Sequence, residues 1–580
     1  MAVFSSHIPT RRFGLLDLAV IIFVFSLLYS LVRLSSGMAV PFSPETQLDL
    51  SSNPADLPYY AGRSLLRMFL AYGASLLFTL LYGSLAAKNR LAEKVLIPLL
   101  DILQSIPVLG FLSVTITMFI GMFPGSLLGV ELASIFAIFT GQCWNMTFSF
   151  YHSLTTLPKD LKEAATMLRL NPWQRFIRLE VPFSMIGLVW NSMMSFGGGW
   201  FFLAASETIT VLNSSIQLPG IGSFMAAAIT NGDMTALVYA MVTMVLMIVA
   251  VDQLFWRPIV VWSQKFKMER TAAKEVPSSF VYDLLQRAIF IAWLRKYLLT
   301  PLCSVIYSYG SRFVAFGGHT VRQAGRFKLF SVLRSAFAYA LALGAVYYVV
   351  QEAYAGYQML ASLGTEELGN LFVFGLYTLG RIIIATLFGL LWTVPVGVWI
   401  GTNPRLTKLF QPLVQIAASF PANMLYPFIA VFYLRHEVNF EYGSIALMAL
   451  GTQWYILFNV IAGATTIPND LKEAAVLFKL SSRQRWKKLI LPAIFPSLIT
   501  GCITATGGAW NASIISELLT WKENQLVATG IGSYISQATA SGDWPAIIGG
   551  IVVMCVFVIL MNRLLWRRLF QLSETKYHLN

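Results

Sequence analysis

An eight-residue phrase occurs twice in this chain with a single change. Pro158-Lys-Asp-Leu-Lys-Glu-Ala-Ala165 returns as Pro468-Asn-Asp-Leu-Lys-Glu-Ala-Ala475. The 310-residue spacing holds without a gap from Gly141/Gly451 through Trp144/Trp454, Pro182/Pro492, Gly197-Gly198/Gly507-Gly508 and Glu207/Glu517 to Trp256/Trp566. Upstream the spacing becomes 314 and pairs Arg67 with Arg381, Pro98 with Pro412 and Pro107 with Pro421. One half therefore carries a four-residue length change between Pro107 and Gly141. So long a shared register means duplication, and the chain must fold as two copies of one unit.

The unit is one that lives in lipid. Apolar stretches of about 20 residues recur in both halves, the length needed to cross roughly 30 Å of hydrocarbon. Hydrophobic residues make up 57% of the chain and charged residues 12%, where a soluble domain carries about 25% charged. A backbone in lipid must satisfy its own hydrogen bonds, which makes the spans helical. Hydropathy places them near 13–34, 65–87, 100–121, 127–150, 181–204 and 236–256, then near 332–350, 372–400, 412–433, 441–463, 491–513 and 543–565. The first stretch follows Arg11 and Arg12 and is read as a span, since it is long for a secretory leader. The expected fold class is an all-α integral membrane protein of two tandem transmembrane domains, about six spans each.

Orientation follows from the basic residues. No Lys or Arg lies between Leu34 and Gly62, Ser206 and Asp233, or Gln351 and Gly380, so these loops face outward. The basic stretches Lys88–Lys94, Pro158–Arg178, Arg257–Arg334, Pro468–Lys488 and Arg563–Arg568 face the cytoplasm. Arg435 and Lys522 fall in loops placed outside, against the trend. The net charge of +14 thus sets orientation and meets anionic lipid; it does not mark a nucleic-acid partner. Both copies of the repeated phrase face one side, so the number of spans between them is even. The halves are parallel repeats about a pseudo-twofold axis along the membrane normal.

The expected divisions are an N-terminal span and outer loop (1–60), a first permease domain (61–257), a basic linker (258–331), an extra span and outer loop (332–369), a second permease domain (370–567) and a cytoplasmic tail (568–580). From Arg257 to Arg334 there are 13 Lys/Arg against Glu269, Glu275 and Asp283. The apolar patches of this linker are broken, and it is expected to lie as amphipathic helices on the inner face. Cys143, Cys303, Cys502 and Cys555 have no metal-ligand spacing and read as small packing residues.

The repeated phrase reads as a short helix. Asp160 and Asp470 stand where they can cap it, with Glu163 and Glu473 third in a capping box. Ala164-Ala165 and Ala474-Ala475 form a small-residue face that lets a partner approach. Asn171-Pro172 and Ser481-Ser482 then start a second helix, with Gln174 and Gln484 at its third position. Glu-Ala-Ala followed by a basic helix and a proline resembles the EAA loop of binding-protein-dependent ABC importer permeases, here present twice. The resemblance covers roughly residues 60–257 and 370–567. It implies a type I importer fold, two separate ABC ATPase subunits at the loops, an extracytoplasmic solute-binding protein, ATP and Mg on the ATPases, and a bacterial-type inner membrane with both termini cytoplasmic. Residues Asp160, Glu163, Ala164, Ala165, Arg169, Asp470, Glu473, Ala474, Ala475 and Lys479 would then serve ATPase coupling. The family has Gly where this chain has Arg169 and Lys479, so the bend is expected at Asn171-Pro172 and Ser481-Ser482, with the two basic residues pairing to acidic groups on the ATPase. Leu100-Asp-Ile-Leu-Gln-Ser-Ile-Pro-Val108 and Leu218-Pro-Gly-Ile-Gly222 resemble the nitrate, sulfonate, taurine and bicarbonate group, which implies an anion as solute.

No Lys, Arg, Asp or Glu falls at the middle of an expected span, which argues against proton-coupled transport. The uncharged Gln142, Asn145, Asn191, Ser195, Gln453, Asn459 and Asn511 either line a pathway or bond between helices. Gly197, Gly198, Gly507 and Gly508 suggest close packing or a hinge. Glu207 and Glu517 either contact the binding protein or cap local helices. The chain lacks the dipeptide Gly-Lys and with it any G-x-x-x-x-G-K-[ST] loop, and no His, Cys, Asp or Glu cluster suggests an enzyme or a metal site. The competing reading is a secondary transporter of 12 spans with no ATPase.

Overall fold

The computed structural model describes residues 13–41, 53–211, 214–266, 278–305, 307–312 and 328–576; Arg11, Arg12, Glu269 and Glu275 lie outside the described residues. The first half runs α1 (Leu15–Ser36), α2 (Leu57–Lys88), α3 (Arg90–Ser105), α4 (Leu112–Met122), α5 (Leu128–Thr155), α6 (Lys159–Met167), α7 (Pro172–Arg175), α8 (Val181–Ser206), the hairpin β1–β2 (Thr208–Val211, Ser214–Gln217), α9 (Ile221–Asn231) and α10 (Met234–Val251). The second half repeats it as α11 (Gly364–Thr402), α12 (Pro404–Ser419), α13 (Tyr426–Arg435), α14 (Phe440–Thr465), α15 (Asn469–Leu477), α16 (Ser482–Arg485), α17 (Leu491–Ser516), β3–β4 (Leu518–Trp521, Asn524–Val527), α18 (Ile531–Ser541) and α19 (Trp544–Met561). Each half packs around a central trio, α2–α5–α8 or α11–α14–α17. Outward faces carry large apolar side chains, such as Leu77, Leu81 and Leu85 on α2 and Ile384, Leu387 and Leu391 on α11. Lipid, not water, suits such surfaces.

Not every expected span is a straight helix. Among the described residues eight helices are long and apolar enough to cross a membrane, or nine if the bent pair α12–α13 counts as one. The expected spans at 100–121 and 412–433 are broken. A proline drives its predecessor out of the helical region, and Ile106 before Pro107 and Phe420 before Pro421 are extended (ψ 124° and 125°). In the second half the two segments meet at 77°. Helices α5 and α8, at 28 and 26 residues, are long enough to span as well, and they turn Ser134, Gln142, Thr147, Ser192 and Ser195 into the bundle.

A charged network at the outer end of each half fixes the trio. Arg67, fully buried, donates to Glu131 through Nε (2.6 Å) and Nη2 (2.8 Å) and to Glu207 through Nη1 (2.6 Å). Arg63 also pairs with Glu131 and reaches the Leu34 carbonyl at 3.0 Å, which ties α1 to α2. Glu207 is fully buried, and of its two expected roles the structure shows the capping one: its Oε2 accepts the Gly222 N–H at 2.7 Å at the start of α9. A Cβ on Gly222 would lie 2.5 Å from the Ala204 carbonyl oxygen, which is why glycine stands there. The second half repeats the pattern. Arg381 pairs with Glu517 (2.8 Å) and Glu441, and Glu517 accepts the Gly532 N–H at 2.8 Å. Ser64 and Thr378 correspond too, each donating to its glutamate and accepting the Ile221 or Ile531 N–H. Because Glu131 and Glu441 keep the 310 spacing, the four-residue difference falls in the outer turn between Leu112 and Glu131.

Removing one member of a buried charge cluster costs about 3–5 kcal/mol because its partners stay buried and unpaired. Arg67→Ala should therefore lower the thermal midpoint of the detergent-solubilised protein sharply. Arg67→Lys should restore little, since an ammonium cannot span two carboxylates as the guanidinium fork does.

Candidate functional site

The two copies of the repeated phrase form α6 and α15. Each starts directly after a proline with extended backbone, Pro158 or Pro468, and no side chain caps it. Asp160 and Asp470 are therefore not caps. They lie inside the first turn, where a carboxylate meets the positive end of the helix dipole. The second helix starts as its sequence suggests. Asn171 Oδ1 accepts the Gln174 N–H (2.8 Å) while Gln174 Oε1 accepts the Asn171 N–H (3.1 Å). Ser481 and Gln484 repeat this reciprocal pair.

The bend between the two helices sits elsewhere than expected. Arg169 (φ 50°) and Lys479 (φ 48°) themselves take the left-handed conformation. The Arg169 N–H bonds to the Thr166 carbonyl and the Leu170 N–H to the Ala165 carbonyl; Lys479 and Leu480 do the same with Val476 and Ala475. This double closure ends a helix on a left-handed residue, normally glycine. The chain makes the glycine turn without the glycine, and the Asn171-Pro172 and Ser481-Ser482 steps only start the next helix.

The alanine pairs do not act as one face. Ala165 and Ala475 are buried within the chain, Ala164 is exposed and Ala474 half-buried. What projects is the helix end: Met167 and Leu168 are 86% and 72% exposed, Leu477 and Phe478 81% and 80%. Glu163, Glu473, Arg169 and Lys479 are exposed around these apolar tips. The tips escaped sequence reading because only their surroundings show that Met167 and Phe478 face outward.

Each loop runs without a break into a central helix. Residues Phe176–Glu180 and Trp486–Ile490 form wide π turns, followed by Pro182 at the head of α8 and Pro492 at the head of α17. A proline has no N–H to give and its ring crowds the carbonyl four residues back; a wider turn accommodates both. Lys88, at the end of α2, pairs with Glu180 at 2.6 Å and fastens the first loop to the bundle.

Helices α8 and α17 flank a cavity of about 190 Å³ between the halves. Of the expected pathway residues, Asn145, Ser195 and Asn511 line it, together with Gly198, Gly507 and Gly508; no charged residue does so among the described residues. The other four serve packing. Gln142 lies buried against Gly199. Asn191 donates to Ser149 Oγ and the Gly187 carbonyl. Gln453 accepts from Trp392 Nε1, and Asn459 bonds the Tyr455 carbonyl. Trp144, Tyr455, Trp510 and Trp566 complete the wall. Three of them stand in the repeated register, the one signal that could have found them. The halves meet unevenly. A Cβ on Gly197 would come 2.6 Å from Ser419 Oγ of α12, whereas around the equivalent Gly507 nothing lies within 4 Å. The cavity opens on that side, and Asn511 Oδ1 bridges it by accepting the Val108 N–H at 2.7 Å.

Comparison with known proteins agrees with this duplicated layout. Residues 79–255 and 393–571 each match the family described as binding-protein-dependent transport system inner membrane component. Similar proteins include a nitrate import permease protein of Leptolyngbya laminosa (27% identical; 32% of this chain and 63% of that protein). A bicarbonate transport system permease protein of Synechococcus elongatus is 25% identical over 29% of this chain and 58% of its own length. A taurine transport system permease protein of Escherichia coli is 23% identical over 33% of this chain and 67% of its own. The chain thus spans less than two thirds of the first two. With the family matched over more than half of its residues, the chain belongs to the binding-protein-dependent transport system inner membrane components and carries that family's domain twice.

Proposed function

We propose that this chain is the complete pair of transmembrane domains of an ATP-driven importer, and that the cavity between its halves is part of an alternating-access pathway. The observation that carries this reading is the twin loop: two exposed apolar tips, each continuous through a π turn with a helix that lines the cavity. Two ABC ATPase subunits, carrying the ATP and Mg, dock on those tips from the cytoplasm. An extracytoplasmic solute-binding protein delivers solute at the opposite face. Closure of the ATPases draws the loops together. Because α8 and α17 are pinned at their outer ends by Glu207 and Glu517, inward displacement of their loop ends turns into rotation about that pin. The membrane is a bacterial-type inner membrane with both termini cytoplasmic. The relatives named for nitrate, bicarbonate and taurine support a small solute bearing an anionic group. The cavity offers it the amides of Gln104, Asn145 and Asn511 among apolar side chains and, among the described residues, no fixed cation that would hold an anion too tightly to release. A secondary transporter has no use for twin loops of this kind.

Reconstituted with the ATPase that co-purifies with it and with its binding protein, the chain should show vanadate-sensitive, ATP-dependent uptake; uptake without the ATPase would refute the reading. Gly507→Leu places a side chain in open space within the cavity. Uptake should fall by an order of magnitude, roughly 1.4 kcal/mol on the barrier, with the thermal midpoint unchanged.

A non-glycine residue in the left-handed region costs about 1–2 kcal/mol, a strain that persists where the side chain is used. We infer that Arg169 and Lys479 meet acidic groups on the ATPases. The double variant Arg169→Gly/Lys479→Gly should raise the thermal midpoint yet lower ATPase co-purification and make the remainder salt-sensitive. Unchanged docking by the stabilised variant would leave the two charges without that role.

A further inference from the structure

The linker between the halves does not hang free. The helical stretch Ile289–Arg312 is long and apolar enough to cross a membrane, but both its ends are tied to one side. Its start is capped by Asp17, at the foot of α1, whose Oδ1 accepts the Ile289 N–H at 2.6 Å. Its far end sits on the first loop. Asn171 Nδ2 and Gln174 Nε2 both donate to Ser311 Oγ, at 2.6 and 3.3 Å. Arg178 lies over the Tyr307 ring at 4.9 Å, and Gly310 leaves room for the Trp173 indole, which a Cβ there would strike. The foot of α1 and the first loop lie on the same side of the bundle, because Arg63 joins the far ends of α1 and α2 while Lys88 joins the near end of α2 to Glu180. The stretch therefore runs along that side without crossing.

Among the described residues the second loop has no such cover. Ser481 and Gln484, the counterparts of Asn171 and Gln174, are exposed where the first pair is half-buried. Trp173 and Arg178 are replaced by Arg483 and Lys488, both exposed, and Glu180 by Ile490. In the second helix of the first loop Arg175 pairs with Glu180 (3.3 Å), and Arg178, though exposed, lies over the Tyr307 ring. The second loop keeps Arg483, Lys487 and Lys488 exposed.

Resting on the proposed docking of ATPases at both loops, we propose that the two docking surfaces differ in kind. The first is a composite of the α6 tip and linker residues 307–312, which present Tyr309 (67% exposed) and Arg312 to the ATPase subunit beneath that half. The second, among the described residues, is the α15 tip without linker, followed by a helix and π turn that leave Arg483, Lys487 and Lys488 exposed to fit an acidic ATPase surface. Linker residues 307–312 are a fixed part of one motor site, continuous with the loop they cover, and hold α7 in place, while among the described residues its counterpart α16 has no such hold.

The test uses the full complex, with a photo-cross-linking benzoylphenylalanine in turn at Met167, Leu477 and Tyr309. Adducts to the ATPase at Met167 and Leu477 report the docking itself, and their absence would overturn both readings. An ATPase adduct at Tyr309 as well, seen as the same mass shift, is the expected result. Adducts at the two tips with only lipid or no adduct at Tyr309 would overturn this inference and leave the docking intact. In a second arm, Tyr307→Ala/Ser311→Ala should reduce the Met167 adduct severalfold and spare the Leu477 adduct, which also reports correct folding. An equal loss at both sites, or none, would show that the linker holds neither.

Discussion

The structure depends on a few charges kept out of water. Arg67 and Arg381 each join two carboxylates from different helices at the outer end of a half, and the carboxylate from α8 or α17 also caps the next short helix. In an apolar bundle, where lipid competes on equal terms with side-chain packing, directional bonds of this kind fix which helices are neighbours. Neutrality matters as much as geometry. The first half balances Arg63 and Arg67 against Glu131 and Glu207, all fully buried. The second has Tyr377 in place of Arg63, and there the less compensated Glu441 stands 41% exposed and takes bonds from Thr529 instead. Water supplies what the missing guanidinium does not.

Much of this was legible in the register of the repeat. Matched positions such as Arg67/Arg381, Glu207/Glu517 and Gly222/Gly532 turned out to be the parts of one network, although nothing in their spacing said that they touch. The Asn171–Gln174 and Ser481–Gln484 boxes were legible because capping is local: four residues contain all the partners. The broken third span was not, because hydropathy records how much apolar length is present and not its direction; Pro107 and Pro421 change direction without changing composition. The turn at Arg169 and Lys479 was misplaced for a related reason. The rule that left-handed helix ends take glycine concerns energy and not possibility, and a strain of about 1–2 kcal/mol is small beside the tertiary contacts that hold the loop. The linker's position rests on bonds between Asp17 and Ile289, and between Asn171 and Ser311, which no local pattern encodes.

Duplication gives a chain two equal halves, but a single polypeptide need not keep them equal. A connection between identical units has to run past one of them. Here it runs beneath the first, covers Asn171 and Gln174, and leaves Ser481 and Gln484 open. The asymmetry continues into the bundle, where α12 presses on Gly197 while Gly507 faces the cavity. A pathway on the pseudo-twofold axis would have matched walls; here Asn145/Tyr455, Met194/Thr504 and Gly198/Gly508 face the cavity as matched pairs, while Gly507 lines it and its counterpart Gly197 does not.

That unevenness bears on how displacement at the loops reaches the cavity. A straight helix pinned at one end behaves as a lever, and its far end moves most. Residues Ser195–Gly198 and Thr506–Gly508 lie near the middle of α8 and α17, so they move about half as far as the loop ends. On the Gly197 side that movement meets Ser419 at once; on the Gly507 side it meets empty space. The same push on both loops would therefore separate or compress the halves unequally, and closing the cavity would fall mainly to α17. If ATPases dock at both loops as proposed, the site under α17 is the one that, among the described residues, its own loop holds without the linker, and the exposed Arg483, Lys487 and Lys488 stand where a helix with more travel needs the firmer attachment.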